Sequence, residues 1–209
     1  MAGRECREKI AQWTSSLGDT LALMTTHELW GPLAGLIGEW EGSEGLDVAF
    51  HNAKAALGET KYRERVTLDA FGPVNNGSQC LYGLDYRMSA WRQNEDAPFH
   101  TEIGYWLWDA ETEHVMRCFM VPRGTALLAG GSAKPDAASF SLEANVGSEV
   151  CGILSNQYLA SKARTTHYAC KVTVAGDSFS YDSCTTYVHA VGGVISHTDR
   201  NTLRRISGK

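Results

Sequence analysis

The 209-residue sequence lacks the markers of several large functional classes. No Lys/Arg cluster is longer than the "LRRI" that begins at Leu203, and the formal net charge is −5. The chain therefore has no electrostatic footprint for nucleic acid or anionic lipid. It has no Cys-x-x-Cys pair. The six cysteines stand at 6, 80, 118, 151, 170 and 184, a spread that disfavours zinc and reads as small buried or half-buried thiols in a reducing compartment. The first residues, "MAGRECREKIAQW", contain no apolar signal-peptide core. The most apolar early stretch, "TLALMTTHELWGPLAGLIGEW", is interrupted by His27, Glu28, Gly31 and Pro32 and does not read as a membrane span. These absences together predict a cytoplasmic protein without a membrane or nucleic-acid partner. "GTALLAGG" is rich in glycine but has no P-loop lysine. No Gly-x-Ser-x-Gly elbow is present, and "THELWG" lacks the second histidine of a zinc-protease helix. Without repeats, linkers or low-complexity tracts, residues 1–209 read as one domain.

What is present is alternation. After a helical N-terminal segment within residues 1–35, ended by Pro32 and Gly35, the character changes. Segments such as "TKYRERVTLDAF", "FHTEIGYWLWD", "EHVMRCFMVP" and "DSFSYDSCTTYVHAV" are short, alternating and rich in Tyr, Trp, Val and Thr. Turn residues bound each of them: "GPVNNGS", "NEDAP", "DAETE", "PRG", "AGD". About ten antiparallel strands over residues 36–207 result, arranged as an up-and-down barrel or a sandwich. The stretch "GSEVCGILSNQYLASKA" breaks the pattern and reads as a loop with a helical turn.

Two strands carry unusual faces. One parity of "SFSYDSCTTYVHA" holds Phe179, Tyr181, Ser183, Thr185, Tyr187 and His189, a mixture of aromatic and hydroxyl groups suited to a barrel that holds a ligand. The last strand, "VISHTDRNTLRRI", puts His197, Asp199, Asn201 and Leu203 on one face. That face looks at water or into a cavity that needs polar chemistry. Glu41, Glu44 and Asp47 cluster near the first strand; a solvated hairpin is the preferred reading over a cation site.

"PLAGLIGEWEGSEG" resembles the opening of the nitrobindin family, heme-binding β-barrels related in shape to fatty-acid-binding proteins. Gly38, Trp40 and Gly42 match its Gly-x-Trp-x-Gly-x-Gly motif, with Glu44 where the last glycine is expected. "YRERVTL", "YGLDYRMSAW" and "APFHTEIGYWLW" are similar to its following strands. "SHTDRNTLRRI" is similar to its C-terminal strand, whose histidine ligates the iron. The likeness runs in order from about residue 32 to 206. "VPRG" replaces the family's His-Pro-Thr-Gly turn, and "DVAFHNAKAALGETK" is longer than its first hairpin. The resemblance implies heme b held by His197, with Trp40, Tyr105, Phe119, Tyr181 and Tyr187 as candidate walls and Arg123 as a propionate partner. Asp199 is a candidate for the second ring nitrogen of His197, or for an arginine. It further implies binding of nitric oxide, or conversion of peroxynitrite to nitrate, and a possible homodimer. The alternative is a lipocalin-like carrier of a fatty acid or other apolar ligand, without catalysis.

Overall fold

A computed structural model describes residues 26–207 of the chain. Its first element is a 3₁₀ cap, Thr26–Leu36, in two pieces joined at Gly31 (φ 51°, ψ −134°). A side chain at Gly31 would stand 2.5 Å from the Trp108 indole, so only glycine lets the cap lie this close to the sheet. The regular helix expected up to residue 35 is thus replaced by tighter turns from Thr26 onward; its earlier part lies outside the described residues.

Eleven strands follow: β1 (Gly38–His51), β2 (Ala56–Asn76), β3 (Gln79–Arg92), β4 (His100–Asp109), β5 (His114–Val121), β6 (Thr125–Ser132), β7 (Ser139–Val146), β8 (Gly152–Ser155), β9 (Ala163–Ala175), β10 (Ser178–His189) and β11 (Gly193–Ser207). A single short helix, α1 (Gln157–Lys162), lies between β8 and β9, with the Asn156 side chain accepting from the Leu159 N–H as its N-cap. The sheet closes on itself through β1 and β11 into a barrel, not a sandwich. Nearly every pairing is antiparallel; β7 with β8 is parallel. The stretch expected as a loop with a helical turn supplies β8 and α1, which accounts for eleven strands against about ten. Among the described residues no helix is long and apolar enough to cross a membrane. Cys80 is disulfide-bonded, against the expectation of six thiols, while Cys118, Cys151, Cys170 and Cys184 are free.

The two ends of the barrel differ. One is plugged: Leu33 and Leu36 of the cap pack with Trp40, Leu68, Leu84, Trp108, Val115 and Leu203, all nearly inaccessible. Arg205 ties the plug to β11. Its guanidinium lies 4.1 Å over the Trp40 ring and donates to the carbonyls of Gly35 and Ile37. The other end is open, and the polar residues of the inward faces collect there.

A bulge in β1 sets which residues reach that open end. Glu41 pairs with Arg204 but Leu46 with Arg200, so four residues of β1 face three of β11. Trp40 points inward before the bulge on even parity; after it the odd residues do, and Asp47 is 7% exposed. An uninterrupted strand would have turned Asp47 to solvent. Gly45 sits within the bulge beneath Tyr62, where a Cβ would stand 2.3 Å from the ring.

Candidate functional site

The open end encloses a cavity of about 640 Å³. His197 lies on its wall with its side chain 32% exposed, between two carboxylates. Its Nε2 is 2.5 Å from Asp47 Oδ1 and 3.4 Å from Asp199 Oδ2. Asp47 and Asp199 are directly opposite one another across β1 and β11. Burial alone would lower the imidazole pKa, but hydrogen bonds to Asp199 and Asp47, and their charges, raise it to about 9. With no metal on it the ring is an imidazolium at neutral pH, neutralising part of a like-charged cross-strand pair. The solvated-hairpin reading fails for Asp47, because the bulge turns it inward; Glu44 stays exposed.

From Asp199 a hydrogen-bonded chain runs into the barrel. Tyr62 Oη is 2.7 Å from Asp199 Oδ1 and 2.7 Å from Tyr181 Oη, and Tyr181 Oη is 2.8 Å from Glu64 Oε2. Asn201 donates to the same Glu64 oxygen at 2.8 Å. Two phenols own one hydrogen each, yet three close O···O contacts need three. Tyr62 donates to Asp199 and Tyr181 to Glu64, which leaves the Tyr62–Tyr181 contact without a hydrogen while both carboxylates are ionised. Burial favours a proton on Glu64, pushing its carboxyl up to about 7 against the hydrogen bonds from Asn201 and Tyr181.

A second cluster forms the floor. Arg117 of β5 donates to Glu102 Oε2 at 2.6 Å, to Tyr86 Oη at 2.7 Å and to Tyr168 Oη, while Tyr86 donates to Glu102 at 2.7 Å. Burial would raise the Glu102 pKa, but the Arg117 charge and the His100 hydrogen bond hold it down at about 2. The guanidinium is sandwiched by aromatic faces, 4.4 Å from the Phe119 centroid and 5.1 Å from those of Tyr86 and Trp106. His100 both faces the cavity and braces Glu102, its Nε2 3.1 Å from Oε1.

Of the residues proposed from the sequence, His197 and Arg123 line the cavity, with Arg123 exposed in the β5–β6 turn. Phe119, Tyr181 and Tyr187 line it too. Trp40 and Tyr105 do not. Trp40 faces inward but at the plugged end, donating to the Leu36 carbonyl and stacking edge-on with Phe179. Tyr105 is 50% exposed on the outer wall, against Phe71. The β4 parity that enters the barrel is that of Glu102, Trp106 and Trp108. Asp47, Tyr62, Glu64, Glu102 and Arg117 were not singled out as site residues. Their signal was there: Glu64, Glu102 and Arg117 each sit on the apolar parity of their strand, as in Tyr62, Glu64, Val66, Leu68.

A closed barrel, plugged at one end and hollow at the other, with two carboxylate-held imidazoles, His197 and His100, on its wall, is a small-ligand-binding β-barrel. The family can be stated more closely. Residues 30–205 match the family described as the THAP4-like, heme-binding beta-barrel domain, and the chain belongs to it, in agreement with the nitrobindin resemblance. The crystal structure of Rv2717c from M. tuberculosis is similar in fold, with a TM-score of 0.58 and 17% identity over 84% of this chain and 95% of that one. An S-type phycobiliprotein lyase, CPES from Guillardia theta, is more distant: TM-score 0.44 and 13% identity over 90% of this chain and 99% of that one. No curated protein matches the chain.

The residues present fit a heme on two counts, the cavity's volume and the apolar and cationic groups in its lining. The cavity lies within the ~300–1,000 Å³ typical of small-molecule sites. Met88, Phe119, Leu127 and Tyr187 give it apolar walls, and Arg123 and Lys162 stand exposed at its edge, where two carboxylates of a ligand would find cations.

Proposed function

We propose that the cavity binds heme b with His197 as the protein ligand to iron. The observation that carries the proposal is the His197 imidazole, facing the cavity and held by two carboxylates where His100 has one. An iron-ligating histidine needs an acceptor for its other ring N–H, which fixes the ring and raises its basicity. Asp47 and Asp199 stand ready for that role, at 2.5 and 3.4 Å. Arg123 and Lys162 would hold the propionates at the mouth, and Met88, Phe119 and Leu127 would keep water from the porphyrin faces. Heme held there would supply the iron for binding nitric oxide or turning peroxynitrite into nitrate.

The carrier reading is less well supported. Drawn into the barrel, a fatty-acid carboxylate meets no free guanidinium, because Arg117 is already neutralised by Glu102. Asp47, Glu102 and Asp199 would repel it.

A hemin titration followed by absorbance tests the proposal. A saturating, sharpened Soret band at one hemin per chain is expected, weakened at least about tenfold in His197→Ala. An identical titration for the two proteins overturns it.

A further inference from the structure

Asp47 and Asp199 form an unfavourable pair. Two carboxylates directly opposite on one face of an antiparallel sheet repel. Both are drawn toward the same nitrogen of His197, and one N–H cannot serve two acceptors well. Asp47 is buried and Asp199 half-buried, so water relieves neither fully. A divalent cation removes the conflict. One oxygen from each carboxylate and one ring nitrogen of His197 all lie within 4.8 Å of one another.

We propose that Asp47, His197 and Asp199 form a binding site for a bare divalent first-row cation of the zinc type. One nitrogen and two oxygens are a mixed donor set suited to Zn²⁺, Co²⁺ or Mn²⁺, less so to Ca²⁺ or Mg²⁺, which take oxygen alone. Two carboxylates, a neutral imidazole and M²⁺ sum to zero charge, so the buried site is neutral. Ligands on a ~2.0–2.1 Å shell stand about 3.3 Å apart. Asp47 and His197 therefore separate by under about 1 Å to admit the ion. The three ligands come from one wall, and the remaining coordination position faces the 640 Å³ cavity, the layout of an open rather than a structural zinc site.

This inference does not rest on the heme reading. A neutral imidazole has one lone pair, so cation and heme iron exclude each other at His197.

The test is a titration of the full chain, stripped by chelator, with Co²⁺ followed by its visible ligand-field bands, then displacement by Zn²⁺. One Co²⁺ per chain is expected. Asp47→Asn and Asp199→Asn each weaken it by at least about 100-fold, the upper end of what loss of an outer partner costs. Glu44→Gln, at an exposed carboxylate outside the trio, leaves it unchanged. Far-UV circular dichroism on each variant confirms the barrel, and His197→Gln provides a third ligand deletion should one aspartate variant fail to fold. Saturating Zn²⁺ suppresses the hemin Soret band. Absence of Co²⁺ bands, or bands indifferent to all three ligand variants, overturns the site. Hemin and Co²⁺ report by separate signals: Co²⁺ binding without a Soret band defeats the heme reading alone, and a Soret band without Co²⁺ binding defeats this one alone.

Discussion

His197 Nε2 lies 2.5 Å from Asp47 Oδ1, joining residues 150 positions apart across the seam that closes the barrel. The contact exists because the β1 bulge reverses the strand's parity between Trp40 and Asp47. Its effect on stability has a definite sign. The imidazole pKa rises from 6.5 to about 9 on folding, so the contribution is complete below pH 6.5 and is lost as pH rises through about 9. Urea unfolding of the heme-free protein should show a midpoint falling across that window. In Asp47→Asn the fall should be shallower, since one of the two anions that raise the pKa is gone.

Glu64 behaves oppositely to an ordinary salt-bridged acid. Its carboxyl rises from 4.5 to about 7, so stability declines as pH climbs through that interval. Glu64→Gln keeps an oxygen for Asn201 and cannot ionise. It should be more stable than the parent at pH 8, by on the order of 1–3 kcal/mol, and equal to it near pH 4.5. Infrared spectroscopy offers an independent check: a protonated-carboxyl C=O stretch at pH 6, absent from the variant.

The Arg117–Glu102 pair is costly to break from one side. Arg117→Met leaves a buried carboxylate without the guanidinium that neutralises it, and should cost about 3–5 kcal/mol in chemical denaturation. Arg117→Met combined with Glu102→Gln should recover most of that loss, because no charge then remains buried.

Much of the fold was legible in the sequence. Strict alternation in "SFSYDSCTTYVHA" gave the inward face of β10, and Tyr181, Ser183, Thr185, Tyr187 and His189 do line the cavity. The same rule placed His197 and Asp199 on one face. Where alternation was interrupted, inference from local pattern failed. Asp47 lay beyond a bulge that shows only in the pairing of β1 with its two neighbours, β2 and β11. Tyr105 misled because aromatic residues usually point inward; in β4 a glutamate does so instead, compensated by an arginine on β5 that no local window reveals. Trp40 was correctly an inward residue, but parity gives the face of a strand and not the end of the barrel. The cap decides the end, by plugging the one where Trp40 sits.

The most direct test is a crystal structure of the protein loaded with hemin. The account predicts a porphyrin inside the barrel mouth, its iron bonded to a ring nitrogen of His197, with Arg123 or Lys162 at its propionates. Hemin on the outer wall, or ligated by another side chain while His197 keeps its contacts with Asp47 and Asp199 unchanged, would contradict it.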